Sequence, residues 1–247
     1  MKLTKLFIAL QLIVVMCSCN TNEKSTQSAE VNEVEIDLSL EKLAPDVFNL
    51  KFDSLGLRCY EVICKSGDSI PMHKFPENVL YVIEPGIVEY TLEDGSKVIS
   101  EFKKGQAYIR NAGNAISKNI GATNLKGILF HILRPNEIDM TYESSKDAAL
   151  VEPSIYQVLA DTNNIRVVIA TYKAGQISKL HRHPDYISYV LEGGKTEIIE
   201  KDGSKINGEL IKGTSGVFKG SEHVFKNNDT VAWKVLMVEV NRKSANQ

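Results

Sequence analysis

Cysteine, an excess of one charge and long apolar runs are all scarce in this chain, and each scarcity excludes something. Of the four cysteines, Cys17 and Cys19 lie beside an N-terminal apolar run. The other two, Cys59 and Cys64, stand five apart in one β-rich run. Five steps along a strand cover roughly 17 Å and reverse the face, so the pair cannot bond to each other. They read as small apolar residues, and no disulfide or thiolate metal clip is expected. Neither charge dominates: 29 Lys and Arg stand against 31 Asp and Glu, a net charge of −2 with no basic stripe. Nucleic acid is not an expected partner. The longest apolar run, Phe7 to Met16, is broken only by Gln11 and is too short to cross a bilayer as a permanent helix. Trp233, the one tryptophan, stands at the start of a late strand and reads as packing.

That N-terminal run follows Lys2 and Lys5, the charged and apolar regions of a signal peptide. It closes on Met16-Cys17-Ser18-Cys19-Asn20. This resembles the lipobox of bacterial lipoproteins, in which a small residue precedes a cysteine that is lipidated and becomes the new N-terminus. Cys19 after Ser18 fits better than Cys17 after Met16, although Met16 stands where the usual leucine would be. The resemblance implies removal of residues 1–18, lipidation at Cys19 and export to the bacterial cell envelope, in the periplasm or at the outer-membrane surface. Membrane contact is expected through the N-terminal lipid only. Losing Lys2 and Lys5 takes the net charge from −2 to −4. Residues 19–44 are expected to be a flexible tether: Asn20 to Val34 is rich in Asn, Glu, Ser, Thr and Gln and cannot bury enough surface to offset its ordering entropy.

The rest is organised by an internal repeat at an offset of 108 residues, the separation of His73 and His181. Arg58 matches Arg166, Gly67 matches Gly175, and Tyr81-Val82 matches Tyr189-Val190. Asp94-Gly95-Ser96-Lys97 matches Asp202-Gly203-Ser204-Lys205, and Asn119 matches Asn227. A repeat of this length means two copies of one domain. Each copy reads as β: short runs such as Thr196-Glu-Ile-Ile-Glu and Trp233-Lys-Val-Leu-Met-Val-Glu-Val are separated by Gly and Asn breaks. Asp94-Gly95 and Asp202-Gly203 predict two-residue hairpins. Many short strands at regular spacing argue for a sandwich or barrel.

The second copy carries Gly175-Gln-Ile-Ser-Lys-Leu-His181-Arg-His183, then Gly194, and later Gly213, Gly220-Ser-Glu-His223 and Asn227. These residues resemble the two motifs of the cupin superfamily, GxxxxxHxH…G and G…PxGxxHxxxN. The resemblance covers most of residues 165–240 and, through the repeat, 57–132. It implies an all-β chain: two tandem cupin-type jelly-roll barrels, at 45–135 and 153–242, joined by a linker at 136–152. Two positions depart from the pattern. Phe218 replaces the proline of the second motif, and Ile187 stands where a glutamate is expected four residues after the second histidine.

His181 and His183, two apart on a strand, leave the same face. His223 can approach from the facing wall. Three neutral imidazoles inside a barrel can hold a divalent transition metal (Fe, Mn, Zn, Ni or Cu) and leave open positions, with iron favoured by resemblance to non-haem oxygenases. Without the glutamate such a site keeps its full charge, which favours an anionic or chelating small molecule. Asp185 reads as a turn residue. The first copy keeps His73 but has Phe75 and Ala115 at the other two ligand positions, so it reads as a degenerate, metal-free barrel. His73 is a pocket candidate there, with His131 near it or separate. Tyr189, like its equivalent Tyr81, shares parity with position 187 and is a candidate to point into the barrel.

Three functions follow: a metal-dependent, oxygenase-like enzyme acting on a small organic molecule, a non-catalytic binder of small molecules or saccharides, or a scaffold with a vestigial site. The two barrels either satisfy their pairing within the chain or pair again as a homodimer.

Overall fold

A computed structural model describes residues 39–133, 144–162 and 165–240. The expected signal peptide, Cys19, most of the tether and residues 136–143 of the linker lie outside the described residues.

The first barrel contains α1 (Leu40–Leu43) and strands β1 (Phe48–Ser54), β2 (Leu57–Cys64), β3 (Ser69–Phe75), β4 (Glu77–Glu84), β5 (Gly86–Leu92), β6 (Lys97–Phe102), β7 (Ala107–Arg110), β8 (Gly113–Asn119) and β9 (Leu125–Ile132). The second contains α2 (Ala148–Val151) and strands β10 (Tyr156–Thr162), β11 (Ile165–Tyr172), β12 (His181–Arg182), β13 (Tyr186–Glu192), β14 (Gly194–Glu200), β15 (Lys205–Leu210), β16 (Ser215–Phe218), β17 (Glu222–Asn227) and β18 (Trp233–Glu239). Each barrel is two antiparallel sheets, β1-β2-β9-β4-β7 with β3-β8-β5-β6, and β10-β11-β18-β13-β16 with β12-β17-β14-β15. The chain is therefore all-β and built as tandem jelly rolls.

The repeat runs further than its sequence identities show. Helices α1 and α2 also stand 108 residues apart, and Leu40 and Ala148 are buried in their respective barrel interiors. Each helix therefore belongs to its barrel, whereas the expected boundaries put the first in the tether and the second in the linker. The hairpins also differ from expectation. Between β5 and β6, Gly95 N–H donates to Leu92 O and Leu92 N–H donates to Ser96 O, leaving three residues in the loop with Gly95 at φ +81°. The Asp94 carboxylate accepts from Ser96 N–H at 2.9 Å, and Asp202 and Ser204 repeat that contact at 2.8 Å. The Asp-Gly pair makes the turn, and the acid's own hydrogen bond lengthens it by one residue.

Three apolar clusters hold the molecule together. Tyr60, Leu80, Val88, Phe102 and Leu129 fill the first barrel, and Val168, Tyr172, Val190, Trp233 and Met237 fill the second. The third lies between the barrels, where the two five-stranded sheets meet. Leu57, Cys59, Val79, Ile128 and Phe130 from one side pack with Ile165, Val167, Ile187, Leu236 and Val238 from the other. Strands β2, β9, β11, β13 and β18 thus bury residues on both faces, and most of them are rich in apolar residues without strict alternation. Cys59 faces the other barrel and Cys64 the interior of its own, and both are free thiols.

Two-sided burial also relocates Tyr189. Ile187 and Tyr189 face the other barrel, not the pocket of their own, and the Tyr189 hydroxyl donates to the Glu61 carboxylate of the first barrel. The inward positions of β13 are Tyr186, Ser188 and Val190. Burial pushes the Glu61 carboxyl up, but hydrogen bonds from Tyr189 and Asn49, with Lys51 beside it, carry it below its ordinary value.

With an apolar face shared by both barrels, unfolding is expected to be one cooperative event. Leu57→Ala and Ile187→Ala, on opposite sides of that face and both fully buried, should each cost about 2–5 kcal/mol and move the same transition. Chemical denaturation followed by fluorescence checks this; two resolved transitions, each moved by only one variant, would contradict it. A carboxyl with a lowered pKa contributes stability above the ordinary carboxylate range and loses it as pH falls through the lowered value. Tyr189→Phe should therefore cost about 1 kcal/mol near neutrality, with the difference from wild type closing in acid. A difference that grows in acid would remove Glu61 as its cause.

Candidate metal centre

His181 sits on the short strand β12 and His183 just beyond it, while His223 sits on β17, the strand that pairs with β12. His181 and His223 are direct cross-strand partners. All three are buried in the second barrel, and one ring nitrogen from each lies within 4.8 Å of the others. His73 lies in the first barrel, where Phe75 and Ala115 occupy the other two equivalent positions.

The other ring nitrogens are held. His181 Nδ1–H donates to Lys179 O at 2.8 Å, and His183 Nδ1–H donates to Glu239 Oε1 at 3.1 Å. His223 Nδ1 lies 3.1 Å from Ser221 Oγ. Donation from Nδ1 leaves Nε2 as the lone pair on His181 and His183, the arrangement that orients histidines toward metals. The Nε2 atoms of His183 and His223 have no protein partner among the described residues. Burial, with His183 beside it, lowers the His181 pKa to about 4. Burial, with both other imidazoles beside it, lowers the His223 pKa to about 3. Both rings are therefore neutral near pH 7, as ligation requires. In donor type, tautomer and convergence, these residues fit a divalent transition metal.

Glu239 is not a candidate ligand from the sequence, yet it holds His183. Fully buried, it also accepts from Arg166 Nε at 2.5 Å, and Arg166 donates both terminal nitrogens to Asp147, at 3.0 and 2.6 Å. Burial alone would raise the Glu239 pKa, but the His183 hydrogen bond and the Arg166 charge carry it down. The glutamate thus stays ionised and is committed as an acceptor. Asp147 in addition caps α2 through Ala149 N–H at 2.9 Å. One chain of contacts therefore links the start of the second barrel to a ring nitrogen of the histidine cluster.

Tyr156 is the other residue that sequence reasoning missed. Because His181 Nδ1 donates to a carbonyl, its Nε2 accepts from the Tyr156 hydroxyl at 2.8 Å, and that oxygen lies 2.6 Å from the Tyr172 hydroxyl. Burial, then the neighbouring Tyr172, pushes Tyr156 far above the ordinary phenol range, so it keeps its proton. Its only sequence signal was the repeat, which aligns it with Phe48. A hydroxyl gained at an aromatic core position marks a polar site.

A cavity of about 250 Å³ opens beside the cluster. Tyr156, His183, Ser188 and His223 line it together with Phe225, Trp233 and Met237, and Tyr186, Phe218, Lys219 and Glu200 are also in the lining. Phe218, at the proline position of the motif, is half exposed and stacks on Tyr186 at 5.1 Å. Trp233 stacks on Tyr172 at 4.3 Å. Asp185 stays out of the cluster: its carboxylate accepts from Gly220 N–H and Lys219 and fixes the loop leading to β17.

No family model matches this sequence, and no curated protein matches it. Among solved structures the chain is similar to AerE from Microcystis aeruginosa, at 15% identity over 78% of this chain and 91% of that one, with a TM-score of 0.54. It is also similar to the oxalate decarboxylase of Bacillus subtilis, which has Mn(II) centres, at 12% identity over 81% of this chain and 77% of that one, with a TM-score of 0.57. At such identities the likeness is one of fold, and that fold is the cupin jelly roll, present here twice.

Proposed function

We propose that the second barrel holds one divalent transition metal on His181, His183 and His223 and acts on a small organic molecule seated in the adjoining cavity. One observation carries this reading: three buried imidazoles converge within 4.8 Å, and two of them, His183 and His223, line the adjoining cavity. A metal bound there supplies a Lewis acid with open coordination positions. The protein's own residues do the rest. Glu239 and the Lys179 carbonyl fix two ring orientations, aromatic side chains exclude water, and the Tyr156 hydroxyl, which donates to the His181 Nε2 lone pair, would release that lone pair to a bound metal and keep its proton beside it. Iron is the first metal to load, for an oxygenase-like reaction. Manganese is the second, because the Bacillus subtilis protein of like fold carries it.

A second reading, a non-catalytic binder of small molecules or saccharides, draws on the engagement of Glu239. The buried carboxylate nearest the cluster is tied to His183 and Arg166, so it is not available as a general base.

Metal analysis by mass spectrometry decides first. About one equivalent per chain is expected, the load of a single three-histidine site, and His181→Ala and His223→Ala should each lose it. Wild-type protein that stays metal-free after reloading would overturn the proposal. Oxygen-uptake assays of the iron-loaded protein on catechols, diketones and thiols then separate enzyme from binder. Glu239→Gln should weaken metal affinity about 10–100-fold while the protein stays folded by circular dichroism, since it removes the charge that orients His183. Unchanged affinity in that variant would deny Glu239 its orienting role.

A further inference from the structure

The first barrel lacks the imidazole cluster but has a cavity of its own, with a cation at its lining. Arg110, at the end of β7, occupies the position of Phe218 in the second barrel. Its Nε donates to Asn78 Oδ1 at 2.9 Å and its Nη1 to the Tyr90 hydroxyl at 2.5 Å. The guanidinium lies 5.6 Å from the Tyr90 ring centre and 6.0 Å from that of Phe75. Nη2 has no protein partner, and no carboxylate pairs with Arg110 among the described residues. A half-buried cation held only by neutral groups and ring faces lacks its counter-charge.

The groups around it are neutral. His131 is buried, and burial followed by the nearby arginines lowers its pKa to about 3. His73 Nδ1–H donates to Pro71 O at 2.9 Å, leaving Nε2 as a lone pair, and burial and Arg110 lower its pKa as well. Opposite them the wall is apolar, formed by Phe48, Val62, Leu80 and Leu129. The cavity measures about 60 Å³. With about 10–15 Å³ needed per water in this measure, that is room for roughly four to six non-hydrogen atoms.

We propose that the first barrel binds a small aliphatic monocarboxylate of acetate to butyrate size, its carboxylate on Arg110 and its tail against the apolar wall. Where the second barrel gathers neutral ligands suited to a metal, the first supplies a fixed cation and needs none. This site is independent of the metal proposed for the second barrel.

Chelator-treated protein titrated with butyrate, at ionic strength held constant with chloride, tests it by calorimetry and by saturation-transfer NMR of the butyrate methyl group. Butyrate should bind and the isosteric, uncharged butyramide should bind at least about tenfold more weakly, as expected for loss of a charge-assisted contact. Arg110→Gln should weaken butyrate by a similar factor, Arg110→Lys by less, and His223→Ala should leave it unchanged. Equal binding of butyrate and butyramide to the wild type, or no binding of either, overturns the proposal without any variant. Loss of butyrate binding in His223→Ala with retention in Arg110→Gln overturns it by moving the site to the second barrel.

Discussion

The face where the two barrels meet sets most of the structure's other properties. Each five-stranded sheet must satisfy an interior on one side and a partner on the other, so its central strands tolerate almost no polar residue. Among the polar residues buried there, Arg166 and Glu239 survive because they pair with each other and with Asp147 and His183. That pairing places an ionised carboxylate at the back of the histidine cluster, in a region otherwise closed to charge. The geometry of the candidate centre is thus a product of the barrel-to-barrel sheet as much as of the histidines.

The sequence spoke clearly where periodicity and spacing are local. The 108-residue offset, the places of the Asp-Gly turns though not their length, and the His181, His183 and His223 positions all depend on short-range pattern, and the structure gathers those three histidines in one place. It was misleading at Tyr189. An alternating strand declares its inward face, but a strand buried on both sides has no alternation from which to read one. The choice at position 189 therefore rested on parity with 187, and both residues face the other barrel. Glu239 and Tyr156 escaped for a different reason. Each contributes through a hydrogen bond to a histidine far away in sequence, and no spacing rule reports such contacts.

Comparing the two copies position by position shows substitutions that travel together. Where His183 is present, Glu239 stands ready to accept from it; where Phe75 replaces that histidine, His131 replaces the glutamate. Ser39 takes the place of Asp147, and Arg58, the counterpart of Arg166, pairs with Asp53 instead. The buried negative charge has vanished along with the imidazole it oriented, and the positive charge of the first cavity has moved to Arg110. The second barrel balances its buried charges internally, whereas the first leaves Arg110 with neutral partners.

The contact between the barrels is also reciprocal: β1 lies against β16 and β10 against β7, each pair being the other's image under the repeat. Such mutual contact is the arrangement of a two-fold dimer, here closed within one polypeptide. In a dimer of identical chains, any substitution at a ligand position strikes both sites at once, and a lost histidine is lost twice. Joining the two copies covalently removes that coupling. One barrel can keep three imidazoles while its twin exchanges two of them for phenylalanine and alanine, and the surface that binds the pair together registers no change.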